Sequence, residues 1–243
     1  MLTRYVSAAA LLAASLPAVA GDINNIGGLT QDQFHRFTQD LGSALSYKPL
    51  APAEPLGLLG FDIGVAGTDT KVKNQDVFKA VGAGNDVTSV VVPQLRALVG
   101  LPFGIDVGAM AAEAPGTNVR LYGAEVKWAF LKGSTVMPAV ALRGSYTKLA
   151  GVDQLDLNTK GVDLSISKGF AMFTPYGGIG KVWTNAAPKS IPASFPTPPS
   201  SESISQNKYF VGLQVNILLF NVVVEGDKTG DDTTYGVKLG LRF

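Results

Sequence analysis

The chain has 243 residues, of which 46% are hydrophobic and 16% charged, and its mean hydropathy is +0.21. The charged share is below the roughly 25% of soluble domains, and 20 basic against 19 acidic residues give no electrostatic basis for binding nucleic acid. Cysteine is absent, so the chain tolerates an oxidising compartment without a disulfide framework.

The first twenty residues are predicted to be a cleaved export signal. Arg4 precedes an apolar, alanine-rich run, and residues 18–20 (AVA) supply the small-x-small pattern that signal peptidase requires before Gly21. After this segment no run of about 18 apolar residues remains, so a helical membrane span is not expected. We predict three parts: a signal over 1–20, a helix with a proline-rich connector over 21–56, and a β-barrel over 57–243.

An amphipathic helix is predicted next, over 30–47. Thr30 and Gln33 have the spacing of a capping box. Four apolar residues repeat on one helix face: Phe34, Phe37, Leu41 and Leu45. Three prolines (Pro49, Pro52 and Pro55) then prevent the helix from continuing. The helix can plug the mouth of the barrel, lie against its periplasmic rim or help to pass an apolar ligand, and we expect it on the periplasmic side.

From here the apolar residues alternate with a period of two, which is the period of β-strands. Ten such segments follow: about 57–72, 88–101, 104–113, 119–130, 135–147, 155–168, 171–183, 208–218, 221–228 and 233–243. One face is apolar throughout, and the other combines glycine with single charges. An even number of strands of about ten residues with this pattern predicts an all-β fold, a closed antiparallel transmembrane β-barrel.

The charged residues of the second face are predicted to line the lumen. They comprise Asp62, Asp106, Glu125, Asp163 and Glu225, with Arg96, Lys127, Arg143, Lys238 and Arg242. Acids and bases are balanced, as expected for a crowded interior. They can form a selectivity lining or a salt-bridged plug, because barrels of about this size are nearly filled by their own side chains.

Connections and aromatic residues also favour a membrane barrel. Long polar connections, including 227–233, alternate with short ones, which is the asymmetry of membrane barrels. The longest, 184–206, contains five prolines, so we expect it to be extended and mobile. One aromatic set lies near the short turns: Phe103, Trp128, Phe130, Phe170, Phe173, Phe220 and Phe243. A second lies toward the long loops: Tyr122, Tyr146, Trp183, Tyr209 and Tyr235.

The export signal, the ten alternating strands and the final YGVKLGLRF resemble the outer-membrane β-barrel proteins of Gram-negative bacteria. The resemblance implies an outer-membrane location, extracellular loops, periplasmic termini, and contact with lipid and lipopolysaccharide. It also implies that the barrel-assembly machinery recognises the last strand through its outward residues: Tyr235, Val237, Leu239, Leu241 and Phe243. The resemblance does not specify an activity.

Enzymatic function is not expected. Proteases of the omptin type are ten-stranded barrels that resemble other barrel enzymes in needing a histidine, and the chain has only His35. On the periplasmic helix, His35 could not meet loop residues. The acidic stretch with Asp227, Asp231 and Asp232 lacks the ligand spacing of a calcium loop, so we read it as a solvated or lipopolysaccharide-facing loop. We expect no metal and no cofactor.

Two functions remain open. The first is a small pore or transporter for small or apolar solutes, with the N-terminal helix as plug or gate. The alternative is a structural or surface-interaction barrel, adhesin-like, with a blocked lumen and active extracellular loops.

Overall fold

The computed structural model describes residues 23, 25–83, 87–113, 119–195 and 197–243, so the predicted signal lies outside the described residues. The ten predicted strands are present and form one closed antiparallel barrel, in which β1 pairs with both β2 and β10. The strands are β1 (Phe61–Lys71), β2 (Ser89–Leu101), β3 (Ile105–Glu113), β4 (Arg120–Lys132), β5 (Ala139–Ala150), β6 (Leu155–Ser167), β7 (Phe173–Pro188), β8 (Glu202–Ile217), β9 (Phe220–Thr229) and β10 (Asp232–Arg242).

Two helices accompany the barrel, α1 (Gln31–Leu45) before it and α2 (Gln75–Ala80) between β1 and β2. Single turns of 3-10 helix lie at Ile26–Gly28 and Pro102–Gly104. In the described part of the chain, no helix is long and apolar enough to cross a membrane.

The alternation places apolar side chains outside and polar ones inside. Along β1, Ile63 and Val65 face outward and are exposed by 55% and 49%, whereas Asp62 faces the lumen and is exposed by 2%. All the residues of both predicted aromatic sets face outward; Phe103 and Tyr235, for example, are exposed by 81% and 56%. An exposed apolar wall between two aromatic belts fits a lipid environment and not water.

The barrel has two different ends. The turn end carries the short connections after β2, β4, β6 and β8, and Phe243 lies there, paired through its backbone with Phe61. The loop end carries the connections after β1, β3, β5, β7 and β9.

Two of the predicted loops are shorter than expected. Five residues at each end of the connection predicted over 184–206 are strand, because β7 extends to Pro188 and β8 begins at Glu202. The predicted acidic loop at 227–233 is a tight turn at Gly230 and Asp231 between β9 and β10. In both cases strand pairing with a neighbour outweighs the local polar composition, which is a weak guide to where a strand ends.

The helix α1 lies at the loop end and not at the short-turn end, which we expected to be its periplasmic position. Ser43 donates from Oγ to the carbonyl of Thr229, and Thr147 donates from Oγ1 to the carbonyl of Leu45; both partners are at loop-end parts of their strands. The following residues, 46–56, run through the lumen toward the turn end and are called the strap. The first described residues and Phe243 therefore lie at opposite ends of the barrel, so the prediction that both termini share the periplasmic side does not fit them.

Candidate functional site

The helix α1 closes the loop end of the barrel. Its N-terminus has the predicted capping box, with Gln33 N–H donating to Thr30 Oγ1 at 3.2 Å and Thr30 N–H donating to Gln33 Oε1 at 2.9 Å. The four predicted plug residues are all buried, at 0–4% exposure: Phe34, Phe37, Leu41 and Leu45. Phe37 packs edge-on against Phe78 of α2, with ring centroids 5.3 Å apart. The loops thus help to hold the helix in the mouth.

A close approach of helix and wall occurs at Gly42. A Cβ atom placed on Gly42 would collide with the side chain of Thr184 on β7. Glycine normally weakens a helix interior by roughly 1 kcal/mol relative to alanine. At this position its missing side chain lets the helix sit against the barrel wall.

Polar contacts at the rim join α1 to the loops. Arg36 bridges Asp32 and Asp76, and the hydrogen bond that Arg36 donates to the Asp76 carboxylate raises the pKa of its guanidinium. Asp40 accepts hydrogen bonds from the backbone and side-chain nitrogens of Asn74 at 2.7 and 2.8 Å. Burial nevertheless raises the pKa of the Asp40 carboxyl above its ordinary value.

His35 contacts a strand at the loop end, contrary to expectation. Its Nδ1 lies 3.0 Å from Glu202 Oε2 at the start of β8, because the helix is at the opposite end from the one predicted.

The strap is held mainly through its backbone. Basic side chains donate to its carbonyls: Lys208 to Tyr47, Arg96 to Lys48 and Pro49, and Lys127 to Pro52 and Glu54, over 2.7–3.1 Å. Acidic side chains accept from its amides: Glu225 from Leu50 and Asp106 from Leu56. A buried backbone polar group needs a hydrogen-bond partner. These charged side chains supply the hydrogen bonds that a neighbouring strand would supply in a sheet.

Leu50 marks a bend in the strap. Its φ of 45° is in the left-handed region, which is unfavourable for leucine. Its N–H donates to Glu225 Oε2 at 2.8 Å, and the same carboxylate oxygen accepts from Tyr176 Oη at 2.6 Å. The side chain is fully buried, so the bend is fixed from several sides.

Seven buried charges form a continuous luminal ion network. In order across the lumen they are Arg96, Glu125, Arg143, Asp163, Lys208, Asp227 and Lys48. The closest contacts are Lys48 Nζ to Asp227 Oδ1 at 2.8 Å and Arg143 Nε to Asp163 Oδ2 at 3.1 Å. Lys48 belongs to the strap, so the network joins the wall to the segment inside it.

The predicted lumen residues all face inward. Nine of them are exposed by 5% or less, and Arg242 at the turn end is partly buried. Two further pairs lie outside the network: Lys127 with Asp106 at 3.0 Å and Lys238 with Asp62 at 2.7 Å. The structure therefore places these residues in a neutralised interior.

Sequence reasoning missed three members of the network. Lys208 is the first residue of the strand predicted over 208–218 but was not assigned to the lumen, Asp227 was assigned to a loop, and Lys48 sits in the connector. Strand parity could have identified Asp227, because it shares its face with Glu225. Nothing in the sequence alone pairs Lys48 with β9, since 179 residues separate them.

The outer wall is apolar and the interior is charged and paired, an arrangement that is stable only in lipid. The chain has the architecture of a ten-stranded transmembrane β-barrel. Its lumen is occupied by its own N-terminal segment.

An apolar pocket of about 70 Å³ lies beside the helix at the loop end. Leu41 and Leu45 of α1 and Phe78 of α2 form one side. The other side is formed by β2 to β5 and their ends, including Val92, Pro93, Ala112, Leu121 and Leu149. The residues named as lining it are all apolar. Among the described residues, no group of three or more acidic or histidine side chains is placed to hold a metal ion.

No family model matches the chain, and no curated protein matches it. Solved structures with similarity include the N-terminal barrel domain of Pseudomonas aeruginosa OprF, with 13% identity and a TM-score of 0.38 over 77% of this chain and 99% of that one. OprG of the same organism has 12% identity and a TM-score of 0.38, over 79% and 99%. The attachment invasion locus protein Ail of Yersinia pestis has 17% identity and a TM-score of 0.33, over 77% and 99%. Identities and scores are low, so nothing about the activity of these proteins is carried over.

Proposed function

We propose that this chain is a non-enzymatic outer-membrane protein of a Gram-negative bacterium that takes up small apolar solutes at its loop end. The helix α1 serves as the plug of the mouth. The observation that carries the proposal is the apolar pocket, which is formed by the buried face of α1 together with the barrel wall. Apolar cavities lined by such residues stay dry and bind apolar molecules.

The rest of the lumen argues against an open pore. The strap and the luminal ion network occupy it, and the strap is anchored along its length from Tyr47 to Leu56. A solute that leaves the pocket toward the turn end must therefore displace part of the strap. We infer a carrier-like or binding role, with no steady conductance to ions.

The proposal is tested by filling the pocket. Ala112 faces the pocket and is 9% exposed, whereas its neighbour Ala111 faces outward. We expect Ala112→Phe to abolish photolabelling of the pocket by a medium-chain alcohol that carries a diazirine, because the ring occupies the space of the ligand. The matched variant Ala111→Phe adds the same ring on the lipid side and should leave labelling unchanged.

Labelled sites are read by mass spectrometry at Leu121 and Leu149, which line the pocket from inside. Absence of label there in the unaltered protein would contradict the proposal, as would equal labelling of the two variants. Planar-bilayer recordings accompany the experiment, and we expect no discrete openings from the full chain.

The surface-interaction reading is supported by a different observation. At the loop end, α1 and the β7–β8 connection pack into one cap: Gln31 Oε1 accepts from Ser200 N–H at 2.8 Å, and the side chain of Phe195 lies against Gly27. An ordered cap of this kind can present a fixed surface to a partner. If the pocket does not bind the probe, this cap is the next part of the molecule to test.

A further inference from the structure

Three connections at the turn end carry exposed apolar residues where turns in water are usually polar. The β8–β9 turn consists of Leu218 and Leu219, and Leu218 is exposed by 95%. Phe103 in the β2–β3 turn and Leu59 just before β1 are exposed by 81% and 76%. The polar residues that favour turns are Asn, Asp and Ser, and residues 57–60, 102–104 and 218–219 include none of them. We call Leu59, Phe103, Leu218 and Leu219 the turn tips.

The backbone holds these apolar residues against a local preference. Leu59, Phe103 and Leu218 have φ angles of 62°, 66° and 56°, in the left-handed region that favours glycine and asparagine. The loop end offers a matched comparison, because the two-residue β9–β10 turn has Gly230 at φ 61°, followed by Asp231. The β8–β9 turn also has two residues, but leucine occupies the position with positive φ. In water an exposed leucine side chain would not offset this strain.

The apolar wall is short between its two aromatic belts. On β8, Tyr209 of the loop-end belt is eight residues from Ile217, which pairs with Phe220 of the turn-end belt. At about 3.4 Å per residue and a tilt of about 40°, this separation gives a height of about 20 Å. The apolar band of an outer-membrane barrel is about 25 Å tall. Leu218 and Leu219 follow directly after this pair, so they lengthen the apolar band toward that height.

Backbone groups beside the turns find their hydrogen bonds within the protein. Arg242 N–H donates to the carbonyl of Leu219 at 2.8 Å, next to the β8–β9 turn. Across the β6–β7 turn, Phe170 and Phe173 exchange two N–H···O bonds of 2.7 and 2.9 Å. A backbone group without a partner is costly in lipid. This internal pairing therefore lowers the cost of moving the turns out of water.

We propose that the turn tips insert into the phospholipid leaflet at the turn end of the barrel. The inference goes beyond the proposed function and does not depend on the apolar pocket. Lipid is the occupant because the apolar surface of the tips continues into the lipid-facing wall. Leu219 is followed by exposed Phe220, and Leu59 lies two residues before exposed Phe61, which stacks on Phe243.

The β4–β5 connection is the part of the turn end that we leave on the water side. It is six residues long, from Gly133 to Pro138, whereas the β8–β9 turn has two. It also carries Ser134 and Thr135, which are exposed.

Fluorescence quenching at single cysteines tests the insertion on the full chain, refolded without other proteins in dioleoyl-phosphatidylcholine vesicles. The test positions are Leu218→Cys and Phe103→Cys, each carrying an environment-sensitive fluorophore. Val224→Cys, on the outer face midway along β9, is the lipid reference. Asp231→Cys is the water reference, because this turn residue has a side chain exposed by 74%.

Two quenchers report the two environments. We expect phospholipid brominated near the carbonyl end of its acyl chain to quench both tips about as strongly as Val224→Cys. Iodide, present on both sides of the membrane, should quench both tips several-fold less than Asp231→Cys. Iodide quenching equal to that of Asp231→Cys would place the tips in water and overturn the proposal. Protection from both quenchers would also overturn it, because the tips would then be covered by protein.

A second measurement needs no fluorophore. Asparagine tolerates a left-handed backbone better than leucine, so in water Leu218→Asn should stabilise the barrel. In lipid its amide lacks hydrogen-bond partners, so we expect a lower urea midpoint of unfolding in dioleoyl-phosphatidylcholine vesicles. The decrease should become smaller in dilauroyl-phosphatidylcholine vesicles, because a thinner bilayer covers less of the turn end.

Leu218→Gly is the matched control, since it relieves the same backbone strain without adding a polar group. We expect its midpoint in the thicker bilayer to lie above that of Leu218→Asn. A midpoint for Leu218→Asn above that of the unaltered protein would overturn the insertion. Equal midpoints for the two variants in the thicker bilayer would overturn it as well, because the amide would then not be in lipid.

Discussion

At the scale of single residues, the main feature is that charged side chains are buried inside a small barrel. Removing a carboxylate or an ammonium group from water costs several kcal/mol, and this cost is offset only when the charge is paired and hydrogen-bonded. Arg143 illustrates the solution: it lies between Glu125 and Asp163, and all three are exposed by 3% or less. The basic groups also use backbone carbonyls of the strap as acceptors.

Arg143→Met should therefore destabilise the barrel strongly. The substitution leaves Glu125 and Asp163 facing each other without the cation between them, and breaking a buried pair in this way costs about 3–5 kcal/mol. Urea unfolding of the refolded barrel, followed by tryptophan fluorescence, measures the loss. Lys160→Met on the outward face of β6 is the control and should change stability little. A cost for Arg143→Met as small as that of the control would contradict the central role of the network.

Phe243 has a different relation to stability. Its side chain is 73% exposed and stacks on Phe61, with ring centroids 5.9 Å apart. We expect Phe243→Ala to reduce the amount of barrel assembled in cells several-fold, because the resemblance implies that the assembly machinery recognises this residue. Unfolding of the protein refolded in vitro should change by about as much as in the control below, because both rings lie in the same lipid-facing belt.

Phe220→Ala serves as the control for that experiment. Phe220 is 63% exposed in the same aromatic belt but is not terminal. Heat-modified mobility of outer-membrane fractions reports assembly for both variants. Equal assembly of the two would show that Phe243 acts as a belt residue only.

At the scale of elements, helix α1 and the strap have separate anchors. The helix is fixed by apolar burial and by rim contacts to the loops, whereas the strap is fixed by charges deeper in the lumen. The two meet at the end of α1, where Ser46 Oγ and Lys48 Nζ donate to the carbonyl of Ser43 at 2.8 and 3.0 Å.

Gly42→Ala tests the docking of the helix. Alanine has a higher helix propensity than glycine, by roughly 1 kcal/mol, so the isolated helix should become more stable. In the protein the added Cβ collides with Thr184, so docking should weaken. Hydrogen exchange of the α1 amides measures docking, and we expect faster exchange in Gly42→Ala.

Adding Thr184→Gly to Gly42→Ala should restore slow exchange, because it removes the side chain that the new Cβ meets. Slow exchange in the single variant, or no recovery in the double variant, would show that the contact does not limit docking.

At the scale of the whole molecule, the strap makes the N-terminal part of the chain pass through its own barrel. The short turns and Phe243 lie at one end, and α1 with the long loops lies at the other. If the loops are extracellular, the start of α1 is at the cell surface. This differs from a barrel whose N-terminus simply continues from its first strand on the periplasmic side.

Single-cysteine labelling measures this arrangement, because the chain has no cysteine of its own. Asp32 on α1 has a side chain exposed by 79%, and Thr135 is exposed at the turn end. We expect a membrane-impermeant maleimide to label Asp32→Cys on intact cells, and Thr135→Cys only after the outer membrane is permeabilised. Labelling of both, or of neither, on intact cells would contradict a threaded strap.

The fold could be predicted from the sequence because it depends on a local rule. In a barrel with lipid outside and a polar interior, every second residue must be apolar. The alternation within β1 alone therefore predicts that Phe61, Ile63 and Val65 face outward. The same rule identified the charged lumen residues. It gave no information on their partners.

The tertiary structure alone decided where the N-terminal segment lies and what the lumen does. The apolar face of α1 could be buried equally well against the rim of the barrel, in its mouth or on another apolar surface, since hydrophobic burial is not directional. Its position follows from contacts between residues far apart in the chain, such as Lys48 with Asp227 and Gly42 with Thr184. The alternation that forms the strands of the barrel is local in the sequence. The ion pairs and contacts that fill the lumen join distant residues and form only when the barrel has closed.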